Sequence, residues 1–330
     1  MKYIASTIVR ASDIGLNDNL FGGTLLRWLD EYGALFTYKY LHHTFVTYKM
    51  EKTYFLKPAK QGDCIDFYVT NLKFSPISVN FDLVAKNNNA KPAIEIINTN
   101  MTFVAIDIQN EKRKYIDPFL FEQEEFEIYM KQKAFSKISL DENIFHNQQH
   151  IEDMLTQLNM YKTSIPANEY KRLFAAICYH DIEHNTLCDK NKDGCFNVFK
   201  RDWQKVISQE DLDAVYEYIL ATEYDPDLND NKNAQLIHDL NMISFIDYEV
   251  MKTSDIKLKT EYSDIQPKDF YETRFFYFKE LLKSNVFLSS KYKKYNTIAT
   301  ANIKQYITEM EELLKEFEDS EQEEPLSENN

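Results

Sequence analysis

Beyond residue 140, the chain holds five of its seven histidines, in spacings that suit metal binding or acid–base catalysis. Two histidine pairs are each four residues apart, which places both members on one face of a helix. Two histidines are followed directly by an aspartate, and imidazole with carboxylate is the ligand set of Zn, Mn or Fe, while carboxylates with water also admit Mg. The pattern predicts a divalent-metal site. Its candidate residues are His146, His150, His180, Asp181, His184, His238 and Asp239.

A second candidate site lies near the N-terminus, at the start of a long apolar segment. Gly22 and Gly23 open this segment, and glycines at a helix start let an oxyanion or phosphate approach the free backbone N–H groups. Asp30 stands among apolar residues farther along, where a carboxylate is costly unless it is paired or functional. The structural alternative is an ordinary helix start, with Asp30 and Glu31 on the solvent face.

Two kinds of predicted secondary structure position these residues. The front of the chain combines one long helix, residues 21–41, with runs of alternating apolar residues that are typical of half-buried antiparallel strands. Such a helix and sheet bury each other if the sheet wraps around the helix. Later apolar residues recur at helical spacing. The predicted organisation is an α+β domain (1–110), a connector (111–140), an all-helical domain (141–315) and a disordered acidic tail (316–330).

The composition limits the classes of protein to which the chain can belong. The 330 residues carry a net charge of −15 and only four cysteines, which fits a reducing compartment without a disulfide framework. No apolar run approaches the roughly 20 residues of a membrane span, and the N-terminus lacks the apolar core of a signal peptide. We therefore expect a cytoplasmic protein with no membrane segment. Its acidic body argues against long nucleic acid as a partner, since such binding needs a basic face.

Three segments of the front half carry closely spaced motifs: NDNLFGGTLLRWLDEYGALF, FVTYKMEKTYFLKPAKQGD and SPISVNFDLVAKN. In these motifs the chain resembles the hot-dog-fold acyl-CoA thioesterases, over about residues 5–108. Asp18 stands where that family usually has glycine. The matching positions are Asn17, Phe21, Gly22, Gly23, Asp30, Val46, Thr47, Phe55, Pro58, Gly62 and Asp63.

The resemblance implies a hot-dog fold, a long central helix wrapped by an antiparallel sheet, and hydrolysis of acyl-CoA at a site between two subunits. Asp30 is then the general base that activates water, or the carboxylate that attacks. Asn17 of the facing subunit orients the water or the thioester carbonyl, and Thr47 hydrogen-bonds near Asp30. Backbone N–H groups near Gly22 and Gly23 stabilise the oxyanion. Edge-to-edge pairing of such domains makes a homodimer the smallest assembly.

The back half carries the segments FHNQQH, YHD and KDFYETR, within residues 143–307. In these it resembles the HD superfamily of metal-dependent phosphohydrolases. Phe145 and Asn241 stand where that family usually has tyrosine and a second aspartate. The resemblance implies a divalent metal (Zn, Mn, Fe or Mg), a small phosphorylated substrate such as a nucleotide, and His146 as the group that protonates the leaving oxygen. The implied metal ligands are His150, His180, Asp181 and Asp239.

Three interpretations of the whole chain follow from these two resemblances. Both halves are enzymes, an acyl-CoA thioesterase followed by a metal-dependent phosphohydrolase. Alternatively, the front half alone is an enzyme, and the helical half binds a nucleotide or metal as a regulatory module. In the third interpretation both sites are vestigial and the protein acts by interaction. The predicted metal ligands favour the first two.

Overall fold

The computed structural model describes residues 1–110, 112–142, 144–183, 192–223 and 230–323. The chain divides into two compact units. The front unit comprises residues 1–132 and 205–207, and the back unit comprises residues 133–204 and 208–330. Within the described ranges, no helix combines the length and apolar character that crossing a membrane requires.

The front unit is one long helix with an antiparallel sheet, as the alternation of apolar residues predicted. The strands lie side by side in the order β1-β4-β5-β6-β2, and the short strands β3 and β7 also pair with β6. The elements are β1 (Lys2–Ile8), α1 (Gly22–Leu41), β2 (Phe45–Met50), β3 (Tyr54–Phe55), β4 (Cys64–Ser75), β5 (Ser78–Asn87), β6 (Ile94–Asp107), β7 (Lys112–Arg113) and α2 (Gln123–Phe135).

Helix α1 buries one stripe of side chains against this sheet. Residues three or four positions apart share a helix face, and the buried positions include Leu25, Leu29 and Phe36. From the sheet, Phe67 and Phe81 pack against the helix through aromatic contacts with its ring-bearing residues. The opposite side of α1 is exposed. The hot-dog fold expected from the sequence is therefore confirmed for this unit.

Residues 45–56 form two strands, β2 and β3, which pair with different parts of β6. One sequence prediction differs from the observed front unit. Residues 111–140 were predicted as a connector. Most of this segment belongs to the front unit, because β7 pairs with β6 at Ile106 and Asp107 and α2 follows. Apolar residues in this stretch do not recur at the spacing of a helix or a strand, so the sequence did not predict that it packs in the front unit.

The described residues of the back unit beyond α2 are helical, which agrees with the helical spacing of apolar residues. Helix α4 is central and packs against α3, α5, α6 and α7. Helix α10 extends through residues 316–323, which were predicted to be disordered. The helices are α3 (Gln148–Asn159), α4 (Ala167–Tyr179), α5 (Lys192–Trp203), α6 (Gln209–Leu220), α7 (Lys232–Asn241), α8 (Tyr248–Glu261), α9 (Pro267–Leu281) and α10 (Asn296–Glu323).

Candidate functional site

The front candidate site centres on a carboxylate and a hydroxyl from neighbouring elements. Asp30 lies on α1 and Thr47 on β2, and the Thr47 hydroxyl donates a hydrogen bond of 2.5 Å to Oδ1 of Asp30. The structure thus brings together two of the predicted site residues. Asp30 is exposed within one chain, so the apolar surroundings inferred from the sequence are absent on its side of the helix. Its second oxygen, Oδ2, remains available to accept a proton or bind a ligand.

The start of α1, in the same unit, presents backbone N–H groups that can donate hydrogen bonds to a ligand. Gly22 and Gly23 are the first two helical residues, and the residue before them, Phe21, supplies no side-chain cap. The first N–H groups of a helix have no partner within the helix, and the helix dipole makes them suited to an oxyanion. A Cβ on Gly23 would lie 2.6 Å from the Phe21 ring, and one on Gly22 would lie 3.3 Å from the Phe55 ring. The absence of side chains at the two glycines therefore lets these rings pack close to the helix start.

A groove adjoins the helix start, with a cavity volume of about 280 Å³. Its walls are mainly apolar, and Lys57 adds one cation. Such a groove suits an elongated ligand with an apolar part, since apolar surface is driven out of water. Its lining residues include Gly22, Leu25, Phe55, Leu56, Pro58 and Ile96.

Asn17, the other predicted residue of this site, lies apart from Asp30 within one chain. It occupies a short 3-10 helix, residues 16–18, with a left-handed backbone (φ 64°), as does Asp18 (φ 56°). Asparagine and aspartate tolerate this region better than most residues, which explains how Asp18 replaces the usual glycine. Asn17 is exposed, and in the described part of the chain no hydrogen bond joins it to Asp30.

In the back unit, three of the predicted metal ligands converge. Nε2 of His180 lies 2.8 Å from Oδ2 of Asp181, and Nε2 of His150 lies 3.5 Å from the same oxygen. The two histidine nitrogens are 3.3 Å apart. One ligand atom from each residue falls within 4.8 Å of the others, as binding to a single ion requires. His180 and Asp181 directly follow α4, and His150 lies in the first turn of α3.

The hydrogen bonds of His180 determine which ring nitrogen faces the group. Its Nδ1 lies 2.9 Å from the carbonyl oxygen of Ile177, which can only accept, so Nδ1 carries a proton. Burial lowers the pKa of His180, and the carboxylate of Asp181 opposes this effect. Nε2 of the ring faces that carboxylate at 2.8 Å. Two atoms at this distance need a proton on Nε2 or a cation between them, and either fits the group.

Lys192, the first residue of α5, contacts this group, a contact that no sequence motif predicted. Its ammonium donates to Oδ1 of Asp181 at 2.8 Å and to the His180 carbonyl at 3.0 Å. Burial would raise the pKa of Asp181, but the neighbouring His180 and Lys192 hold it well below its usual range. Lys192 thus keeps Asp181 ionised and leaves Oδ2 facing the histidines.

His146 lies beside the group without being part of it. Its Nδ1 is 2.8 Å from Oε1 of Glu261, and its Nε2 is 4.0 Å from Oδ2 of Asp181. Glu261 also accepts the backbone N–H groups of Phe145 and His146, each at 3.1 Å. The Glu261 carboxylate therefore orients the imidazole, a role that no motif in the sequence signals.

Asp239 does not join the three ligands. Its two oxygens accept backbone N–H groups of Leu288 and Ser289, at 2.7 and 2.8 Å. Asp239 is fully buried on α7 and holds the segment before α10 in place. The sequence implied a fourth protein ligand at this position, but the ligand atoms that converge are those of His150, His180 and Asp181, and the Asp239 carboxylate meets two backbone donors. The neighbouring His238 likewise bonds to the carbonyl oxygens of Glu223 and Val286. His184 lies outside the described residues.

Comparison with known proteins finds relatives of the front part of the chain. The sequence model of the thioesterase superfamily matches residues 17–89. An uncharacterized acyl-CoA thioester hydrolase of Haemophilus influenzae is 30% identical over 112 residues, which are 32% of this chain and 73% of that protein. The acyl-CoA thioester hydrolase YciA of Salmonella typhimurium is 28% identical over 93 residues, 28% of this chain and 70% of that protein.

Among solved structures, a hexameric thioesterase from Yersinia pestis is 22% identical, with a TM-score of 0.33, and the similarity covers 35% of this chain and 95% of that one. Asp30, Thr47 and the glycines at the start of α1 all lie within the 17–89 segment that matches the superfamily model. Since the Haemophilus relative is matched over most of its own length at 30% identity, the chain belongs to the thioesterase superfamily through its front unit.

Proposed function

We propose that the front unit hydrolyses acyl-CoA thioesters, with Asp30 as the essential carboxylate. The observation that carries this proposal is the Thr47–Asp30 hydrogen bond on the exposed side of α1, in a unit that also presents the free N–H groups at Gly22 and Gly23. The names of the two bacterial relatives, both acyl-CoA thioester hydrolases, support the substrate class. The apolar groove at the helix start gives an acyl or pantetheine chain a place to lie.

The proposed reaction follows from these groups. Oδ2 of Asp30 accepts a proton from water as the water oxygen attacks the thioester carbonyl carbon. Backbone N–H groups at the helix start hold the negative charge that develops on the carbonyl oxygen. The carbon–sulfur bond then breaks, and the CoA thiolate takes up the proton. Direct attack by Asp30 on the carbonyl, with later hydrolysis of the anhydride, uses the same groups.

We further propose that the active unit is a homodimer or a larger homo-oligomer. Asn17 and Asp30 are both exposed and are not joined within one chain, so Asn17 of a second subunit can complete the site. Strand β2 is an edge of the sheet, and Val46 and Tyr48 beside Thr47 are exposed in the single chain. An unpaired edge with exposed apolar side chains is suited to pairing with another copy.

The test of the thioesterase proposal is the variant Asp30→Asn, which keeps the shape of the side chain and removes the base. We expect kcat on a panel of acyl-CoA substrates to fall about 10²- to 10⁴-fold, the usual contribution of a general base. Glu31→Gln is the matched control, because Glu31 is the next residue of α1, is exposed, and forms an ion pair with Arg27 on the same helix at 3.6 Å. Wild-type turnover by Asp30→Asn would refute the assignment.

For the back unit we propose a divalent-metal site formed by His150, His180 and Asp181, acting on a small phosphorylated molecule such as a nucleotide. The support is the convergence of three ligand atoms, with Nε2 of His180 directed at Asp181. A divalent ion held by these three residues would supply Lewis-acid chemistry, which lowers the pKa of water. His146, held by Glu261, would donate a proton to the leaving oxygen. The alternative is a regulatory module in which the same site binds a metal or nucleotide without turnover.

Elemental analysis of protein purified without chelator tests the metal site. We expect about one divalent ion per chain in wild type, loss of the ion in His150→Ala and Asp181→Ala, and retention in His146→Ala and Asp239→Asn. Retention in Asp239→Asn separates the three-residue site from the four-residue set that the sequence implied. Hydrolysis of phosphate esters by wild type, lost in His146→Ala with its metal in place, distinguishes an enzyme from a regulatory module.

A further inference from the structure

A cavity of about 270 Å³ lies inside the back unit, and its far wall is formed by residues that the metal proposal does not use. Asp181, His146 and Lys192 line one part of it. Most of the rest comes from α8, α9 and the segment between α7 and α8, with several apolar and aromatic side chains. These include Met242, Phe245, Met251, Leu258, Tyr277 and Phe278.

Arg274 places a cation in this apolar wall. Its Nε donates to Oδ1 of Asp255 at 2.5 Å, and the Tyr306 hydroxyl donates to Oδ2 of the same carboxylate at 2.8 Å. The guanidinium carbon lies 4.4 Å from the centre of the Tyr277 ring and 5.0 Å from that of the Phe278 ring. One carboxylate contact and two ring faces thus fix the plane of the guanidinium.

This arrangement leaves the outer end of Arg274 unused. Among the residues that the structure describes, the two Nη nitrogens have no hydrogen-bond partner, and neither is sealed from solvent. The side chain is 15% exposed whereas that of Asp255 is 1% exposed, and Arg274 lines the cavity. A guanidinium that is held through Nε presents its two Nη groups as a fork, the geometry that binds carboxylate or phosphate with two parallel hydrogen bonds.

We propose that Arg274 binds the oxyanion of a small ligand whose apolar body occupies the surrounding wall of this cavity. Two sources share this chemistry: an apolar carboxylic acid, the class of product that thioester hydrolysis releases, and a phosphate ester with an apolar body. Glu183 and Glu223 also line the cavity, while the charges of Asp181 and Asp255 are balanced by Lys192 and Arg274. The two further acids favour a ligand of low charge, hence the carboxylate. The inference does not depend on a bound metal.

Calorimetric titration of the full-length, chelator-treated protein tests the proposal, with hexanoate, acetate and phenyl phosphate as probes. We expect saturable binding of hexanoate, tighter than acetate by about fourfold for each methylene buried. Arg274→Gln and Arg274→Lys should each weaken binding at least about tenfold, because both lose the two-pronged contact. Arg201→Gln, at an exposed arginine of α5, is the control and should bind as wild type.

Arg274→Gln leaves the buried carboxylate of Asp255 without its cationic partner, so folding needs its own check. The double variant Asp255→Asn/Arg274→Gln removes both charges together.

Chemical modification of the wild-type protein is a test that needs no variant. A dicarbonyl reagent modifies exposed guanidinium groups, and peptide mapping should show that hexanoate protects Arg274 but not Arg201. Binding of phenyl phosphate alone would identify the phosphate source.

Three results would overturn the inference. The first is no saturable binding of hexanoate or of phenyl phosphate, and the second is an affinity in folded Arg274 variants equal to that of wild type. The third is no protection of Arg274 from the dicarbonyl reagent by a probe that binds. Metal content, measured on the same preparations before chelation, reports separately on the proposed metal site. Loss or retention of the metal does not affect the interpretation of the Arg274 binding and protection results.

Discussion

At the scale of single residues, a hydrogen bond from a hydroxyl orients a carboxylate while leaving it able to act as a base. Asp30 is held in this way by Thr47, through one oxygen only. In the back unit, the Lys192 ammonium orients the carboxylate of Asp181 through one oxygen, and the Glu261 carboxylate orients the imidazole of His146. In each case the partner fixes the direction of the working atom, because a side chain with an unpaired end samples several rotamers.

The contribution of this orientation can be measured at Thr47. Thr47→Val removes the hydroxyl and keeps the shape, and we expect kcat for acyl-CoA hydrolysis to fall about tenfold or more, as for loss of a hydrogen bond to a charged group. Thr47→Ser restores the donor and should recover most of the rate. Steady-state kinetics of both variants makes the comparison. Equal rates for the valine and serine variants would show that the hydroxyl has no orienting role.

At the scale of secondary-structure elements, α1 has a different role on each of its two faces. Its buried stripe anchors the sheet, while its exposed side carries Asp30 and its first turn presents backbone donors. Gly33 belongs to the buried stripe, and its lack of a side chain lets the helix approach β6 closely. A Cβ at this position would lie 2.7 Å from Cζ of Phe103, a core ring that stacks on Phe81. The close approach keeps α1, and hence Asp30, in register with β2.

Gly33→Ala tests this close approach. Alanine is better than glycine in a helix by about 1 kcal/mol, but the clash with a buried ring is an overpacking change that costs about 1–3 kcal/mol. We expect net destabilisation of the front unit, measured by thermal unfolding. In the background Phe103→Leu, which shortens the ring, the same substitution should cost less. A stabilised Gly33→Ala protein would mean that the helix and sheet separate readily at this point.

At the scale of the whole molecule, the exposed positions of Asn17 and Asp30 make subunit pairing part of the proposed chemistry. A surface carboxylate on a helix beside an open edge of the sheet is an incomplete site, since water surrounds the carboxylate and weakens every electrostatic contact. A second copy against β2 would bury the edge and bring further groups to Asp30. The acyl-CoA activity is therefore expected to depend on assembly.

Mixing two inactive variants tests this expectation. Asn17→Ala and Asp30→Ala each disable every site in their own homodimers, but a mixed dimer has one site with both native residues. If subunits exchange freely at equal amounts, we expect about a quarter of wild-type activity to return. Light scattering at micromolar concentration reports the assembly state. Monomers with full activity, or no recovery despite proven exchange, would contradict the shared site.

Local sequence patterns determined much of this protein. The alternation through β4, β5 and β6 and the long apolar run of α1 are properties of adjacent residues, so they predicted the front unit well. The spacing of His146 and His150, and the adjacency of His180 and Asp181, likewise predicted residues that the structure brings together. Such patterns succeed because the periods of helix and strand depend on backbone geometry alone.

Only the tertiary structure decided which side chains meet across the fold. Glu261 reaches His146 from 115 residues away, and neither residue's neighbours indicate the contact. Asp239 was expected to bind metal, yet its carboxylate meets two backbone N–H groups near residue 288, because the position of α7 sets the direction of that side chain. The exposure of Asp30 was equally undecided, since its apolar sequence neighbours occupy the opposite face of α1. A helix period assigns residues to faces, but packing decides what each face contacts.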